Sequence, residues 1–108
     1  MRQTQITIDI ELDDNHVPEK MTWNAEDGGI VKEETKATMI SVWDDKKKEA
    51  LRIDLWTKDM PVDQMKMFLH QILMSLSSTY EKATGEEDVA QWMDEMAEEF
   101  AQRSAIKM

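Results

Sequence analysis

Near Asp59-Met60-Pro61 the spacing of apolar residues in this chain changes from two to three and four. Period two lines one face of a strand, and the i, i+3, i+4, i+7 spacing lines one face of a helix. Strands are therefore expected first and helices afterwards. That order predicts an α+β fold, an antiparallel sheet of three to four strands packed on one face by two C-terminal helices. At 108 residues the chain has material for one modest core, so a single domain over residues 1–108 is expected.

In residues 5–12 (QITIDIEL), Ile6, Ile8, Ile10 and Leu12 alternate with Thr7, Asp9 and Glu11. Asp13-Asp14-Asn15 then supplies turn chemistry. Residues 16–35 read less clearly. Met21, Trp23 and Ala25 suggest a short strand over 20–25, Asp27-Gly28-Gly29 a turn, and KEETK (32–36) a solvated charge cluster. The β-rich runs ATMISVW (37–43) and ALRIDLW (50–56) flank DDKKKE and read as a hairpin. A four-residue loop at 45–48 pairs Asp44 with Glu49, and paired numbers then sum to 93. Thr38, Ile40 and Val42 would face Leu55, Ile53 and Leu51 on the expected core side. A slip of one residue would oppose apolar to polar positions, so the pattern argues for this register.

The helical half is punctuated at both ends. Asp59 is a candidate N-cap for a helix over 59–84, with Pro61 in its first turn and Gly85 ending it in a left-handed conformation. Val62, Met65, Leu69, Ile72, Leu73, Leu76 and Tyr80 form its apolar stripe. A second helix over 86–104 carries Val89, Trp92, Met93, Met96 and Phe100.

Charge and composition remove several function classes. Thirteen basic against twenty-three acidic residues leave a formal charge of −10, which repels nucleic-acid phosphates and anionic membranes. No apolar run approaches the ~18 residues of a membrane span, so direct insertion is not expected. The first residues lack the apolar core of a secretory signal, which suggests a cytoplasmic protein. Without cysteine there is no disulfide, thiolate metal site or thiol nucleophile. His16 and His70 are the only histidines, and no nucleophile elbow, HExxH or phosphate-binding glycine loop is present. Asp13-Asp14-Asn15 lacks the spaced acids of a calcium loop and reads as a polar turn. An enzyme is not expected, and neither is a catalytic residue, a cofactor or a metal.

What remains is a surface. Four tryptophans are many for this length. Trp92 fits a helix stripe, but the hairpin register turns Trp43 and Trp56 away from the expected core side, together with Met39, Arg52 and Asp54. Aromatic and Arg anchors are typical of protein interfaces. Trp23 and Asp27-Gly28-Gly29 are expected at the border of this face. The competing reading has residues 16–35 folding over it, burying Trp43 and Trp56 with Trp23 in a second small core. Met67 and Met74, seven apart at the side of the first helix, either contact the second helix or form a partner or homodimer surface.

The runs VPEKMTWNAEDGG (17–29), SVWD (41–44), LRIDLWTKDMPVDQMKMFLHQ (51–71) and STYEKATGEE (78–87) resemble the gliding motility protein GldC family. The opening ITIDIELDDNHVPEK matches as well, so the resemblance runs from about residue 6 to residue 87. It implies a GldC-like α+β domain in a non-enzymatic accessory protein of the bacterial gliding machinery, acting by protein–protein binding. Partners would be gliding or secretion components. The alternative is an acidic secretion-chaperone-like protein that binds an export substrate, a reading that rests on size, charge and composition.

Overall fold

Among the described residues, five strands and two helices follow one another in the expected order. They are β1 (Ile6–Leu12), β2 (Pro18–Ala25), β3 (Ile30–Thr35), β4 (Ala37–Asp44), β5 (Glu49–Trp56), α1 (Val62–Thr84) and α2 (Glu87–Arg103). The fold class is α+β, as the change of period predicts. The strands form two antiparallel sheets, β1-β2-β3 and β4-β5, rather than one sheet of three or four. The computed structural model describes residues 1–106. The chain divides into two compact units, Met1–Met60 and a second starting at Pro61.

β2 is the central strand of the first sheet. Ile6, Ile8 and Ile10 stand opposite Ala25, Trp23 and Met21, so these residues share one largely apolar face. Met21, flanked by Ile10 and Thr35, is fully buried. The charged run expected as a solvated cluster supplies most of β3. An edge strand needs only one row of backbone bonds, and charged side chains discourage pairing along its open side. High charge density therefore does not argue against a strand there. Where the β2–β3 register slips, Lys32 takes a positive φ of 47° and its N–H donates to Asn24 Oδ1 at 2.9 Å. The turn at Asp27-Gly28-Gly29 forms as expected. Gly29 has a φ of 72°, and its N–H donates to the Glu26 carbonyl at 2.9 Å.

The β4–β5 hairpin has the register read from its pattern. Asp44 pairs with Glu49, Ile40 with Ile53 and Thr38 with Leu55. Asp44 builds the loop, its Oδ1 accepting the N–H groups of Lys46 and Lys47 at 2.9 and 3.1 Å. The expected core side is a correction: Ile40, Val42, Leu51 and Ile53 are all exposed. A two-stranded ribbon is too narrow to enclose apolar side chains by itself.

The second unit is a pair of antiparallel helices joined at Gly85. That glycine ends α1 with a φ of 73°, and its N–H donates to the Glu81 carbonyl at 2.8 Å, as expected. Asp59 is not the N-cap. Pro61 holds that position with no side-chain bond, while Asp59 turns back toward Thr57 and Lys36. The helix seam also differs from the expected stripes. Its buried residues are His70 and Ser77 on α1 and Ala90, Ala97 and Ala101 on α2. Ser77 Oγ donates to the Ala90 carbonyl at 2.8 Å, and Lys66 Nζ donates to the Ser104 carbonyl at 2.7 Å near the other end. Small side chains let the two backbones approach closely. Of the expected stripes, Met65, Leu69, Ile72, Leu73, Tyr80, Val89, Met93 and Phe100 are half-buried, whereas Val62, Leu76, Trp92 and Met96 are exposed. Met67 and Met74 are exposed too.

Filling the seam should therefore cost more than trimming a large side chain beside it. Ala97→Leu is expected to destabilise the chain by about 1–3 kcal/mol through overpacking. Met96→Ala, at an exposed position, should stay within about 1 kcal/mol. Urea unfolding of both variants followed by circular dichroism checks the order.

Candidate functional site

The hairpin sends Trp43, Trp56, Met39, Arg52 and Asp54 to one face because strict alternation separates them from Ile40, Val42, Leu51 and Ile53. Trp43 is 63 % exposed and Trp56 is 53 % exposed. The reading in which residues 16–35 bury them is corrected, because those residues supply β2 and β3 of the other sheet. Arg52 Nη2 donates to Asp54 Oδ2 at 2.8 Å along the strand, so the charged pair lies on the same face as the indoles. Met39 stands opposite Asp54 and completes the patch.

The remaining predicted residues are placed elsewhere. Trp23 is half-buried in β2, opposite Ile8 and Glu33. Asp27 lies in the turn after β2 and forms an ion pair with Arg2. Gly28 and Gly29 belong to that same turn. These four residues are thus carried by the three-stranded sheet and its connection, and the hairpin face is built without them.

A polar junction ties the hairpin to the three-stranded sheet, and it was not singled out from the sequence. The Thr57 N–H donates to the Lys36 carbonyl at 2.8 Å, and the Lys58 N–H donates to the Pro18 carbonyl at 3.2 Å. Lys58 Nζ reaches Asp13 Oδ2 at 2.6 Å and Glu19 Oε1 at 3.2 Å. Asp13 Oδ1 meanwhile accepts the N–H groups of Asn15 and Val17 at 2.8 and 2.9 Å, which holds the β1–β2 turn. Thr57 is buried, and its hydroxyl donates to Asp59 Oδ1 at 2.6 Å, while Asp59 Oδ2 pairs with Lys36 at 3.3 Å. The hydrogen bond from Lys58, then the one from Val17, holds the Asp13 carboxyl below its ordinary value. Bonds from Thr57 and Lys36 do the same for Asp59. Asp13, then Glu19, raises Lys58. The legible signal was modest: a short polar run, Thr57-Lys58-Asp59, at the point where the strand period stops.

Among the described residues, no group of three or more His, Asp or Glu side chains is placed to hold a metal ion. A cleft of about 940 Å³ is walled by polar side chains such as Arg2, Gln3, Gln5, Asn24 and Asp27. It offers little to an apolar ligand. No helix among the described residues is long and apolar enough to cross a membrane.

The chain is thus an α+β protein with an open aromatic hairpin face. Residues 18–106 match the family model described as gliding motility-associated protein GldC-like, and the chain belongs to that family. No curated protein and no solved structure matches it.

The junction gives the stability a defined pH dependence. Asp13 and Asp59 are depressed in the folded state, so their contribution is present above the ordinary carboxylate range, roughly pH 4, and is lost as pH falls through their folded values. Lys58 is raised, so its contribution persists below roughly pH 10 and is lost as pH rises through its folded value. Lys58→Met should flatten both limbs, because Asp13 loses the bond that lowers it most. Urea midpoints measured from pH 3 to pH 11 are the check.

Proposed function

We propose that this chain is a non-enzymatic accessory protein of the bacterial gliding motility machinery, working in the cytoplasm by binding another protein. The observation that carries the reading is the pair of exposed indoles, Trp43 and Trp56, on one hairpin face with Met39, Arg52 and Asp54. An aromatic side chain presents roughly 150–250 Å² when fully accessible, so two indoles more than half exposed leave on the order of 250 Å² of aromatic surface. Trp43 pairs with Ala50 and Trp56 with Ala37, so the indoles stand at the two ends of the face, with Met39, Ser41, Arg52 and Asp54 between them, as two anchors for a partner laid along the ribbon. The mutually paired Arg52 and Asp54 would orient a partner and discriminate among partners more than they add affinity. Membership of a gliding motility-associated family supports the process in which the partner takes part.

A second reading is favoured by the opposite hairpin face. Ile40, Val42, Leu51 and Ile53 are exposed there, so apolar side chains are offered on both sides of one ribbon. That suits a secretion-chaperone-like role toward an extended apolar stretch of an export substrate.

The tagged protein, captured gently from its native host at physiological salt, separates the two. Recovery of a defined set of gliding or secretion components supports the accessory role. Recovery of many unrelated unfolded export substrates supports the chaperone role. The W43A/W56A double variant should lose the captured partner, with affinity lowered at least about tenfold. Its urea midpoint should move little, because both indoles are exposed. An unfolded double variant would mean that the indoles hold the fold together and would remove the hairpin face as the site.

A further inference from the structure

We propose that two copies of this chain pair along the outer edge of β5, joining their hairpins into one four-stranded sheet. This stands independently of the partner-binding reading, since it concerns an edge rather than a face. β5 has β4 as its only sheet partner among the described residues. The Thr57 N–H bonds to the Lys36 carbonyl, which continues the β4–β5 register one pair beyond Trp56 and Ala37. Bonded pairs alternate along an antiparallel ladder. Leu55, Ile53 and Leu51 therefore aim their backbone groups at β4, and Trp56, Asp54, Arg52 and Ala50 aim theirs at the open edge. Such an edge accepts a further strand.

The side chains of β5 say which strand fits. The run ALRIDLW is complementary to itself about Ile53. An antiparallel pair of β5 strands centred there sets Ile53 against Ile53 of the copy. It sets Arg52 against Asp54, Leu51 against Leu55, and small Ala50 against large Trp56, each twice. Opposite charges directly across a pair of strands are favourable, and like charges are unfavourable. The outward backbone groups belong to even-numbered residues, so the neighbouring allowed registers are centred on Arg52 or Asp54. Those registers oppose guanidinium to guanidinium or carboxylate to carboxylate. A two-stranded ribbon is marginal in water, whereas three or more strands with an apolar face can be stable. Pairing through β5 meets that requirement and puts the Trp43/Trp56 faces of both copies on the same side of the joined sheet.

Sedimentation equilibrium on the full chain should give twice the chain mass. Asp54→Arg and Arg52→Asp, each alone, oppose like charges across the seam and should lower that mass to one chain. Mixing the two variants restores opposite charges at every position and should restore the double mass. Because the chain has no cysteine, Ile53→Cys is a clean reporter of register. It lies on the proposed two-fold axis and should form an intermolecular disulfide under mild oxidation, whereas Leu51→Cys and Ile40→Cys should not. A wild-type chain that stays single at all concentrations would overturn the proposal. So would a dimer whose mass neither charge reversal changes, or a crosslink at Ile40→Cys in place of Ile53→Cys, which would move the seam to β4.

Discussion

Lys58 and Asp13 anchor the first unit. The β4–β5 hairpin is a narrow ribbon, and its attachment to the three-stranded sheet rests on the few residues where β5 ends. The Lys58 N–H bond to the Pro18 carbonyl closes that junction, just beyond the last rung of the hairpin at Thr57 and Lys36. The Lys58 ammonium then reaches the same carboxylate that holds the β1–β2 turn. Asp13 thus does two jobs with its two oxygens: one shapes a turn, the other fastens a distant strand end to it. Neighbouring side chains satisfy every polar group in this cluster that is withdrawn from water, which is the condition for keeping such groups inside a fold. No buried side-chain nitrogen or oxygen among the described residues lacks a hydrogen-bond partner.

The helical unit answers a different constraint, that of close approach. Ala90, Ala97 and Ala101 form a smooth seam against Ser77 and His70, with polar bonds near both ends. Larger apolar side chains such as Leu69, Ile72, Met93 and Phe100 are half-buried, while Val62, Leu76, Trp92 and Met96 are exposed. The hairpin leaves its large side chains exposed for the reason already given, a single thin layer. In each unit a local geometric requirement is met first, and bulky apolar surface is left over. That surplus is the surface which the proposed partner and the proposed second copy would cover.

Much of this was legible along the chain. The switch from period two to the helical period marked the order of elements, and the hairpin register followed because any slip would mix apolar with polar positions. Gly29 and Gly85 announced their turns, since both need a positive φ. That Trp43 and Trp56 share a face followed from that same alternation, whereas their exposure depended on where residues 16–35 fold. The β3 strand was hidden because edge strands tolerate charge that otherwise reads as loop. The alanine seam was hidden because hydrophobic periodicity weights large residues, and alanine carries little of that signal. Asp59 looked like a helix cap from its position, yet Thr57 and Lys36 competed for its carboxylate and won.

Local spacing therefore determined the α+β class, the element order, the hairpin pairing and the face that carries Trp43 and Trp56. These depend on neighbours within a few residues or on one pairing of adjacent strands. Only the tertiary structure decided that the strands divide into two sheets, that Trp23 and the turn at 27–29 stay apart from the hairpin patch, and that Lys58 closes on Asp13. Each of these brings together groups far apart in the chain, where periodicity carries no information about which charge or carbonyl will be met.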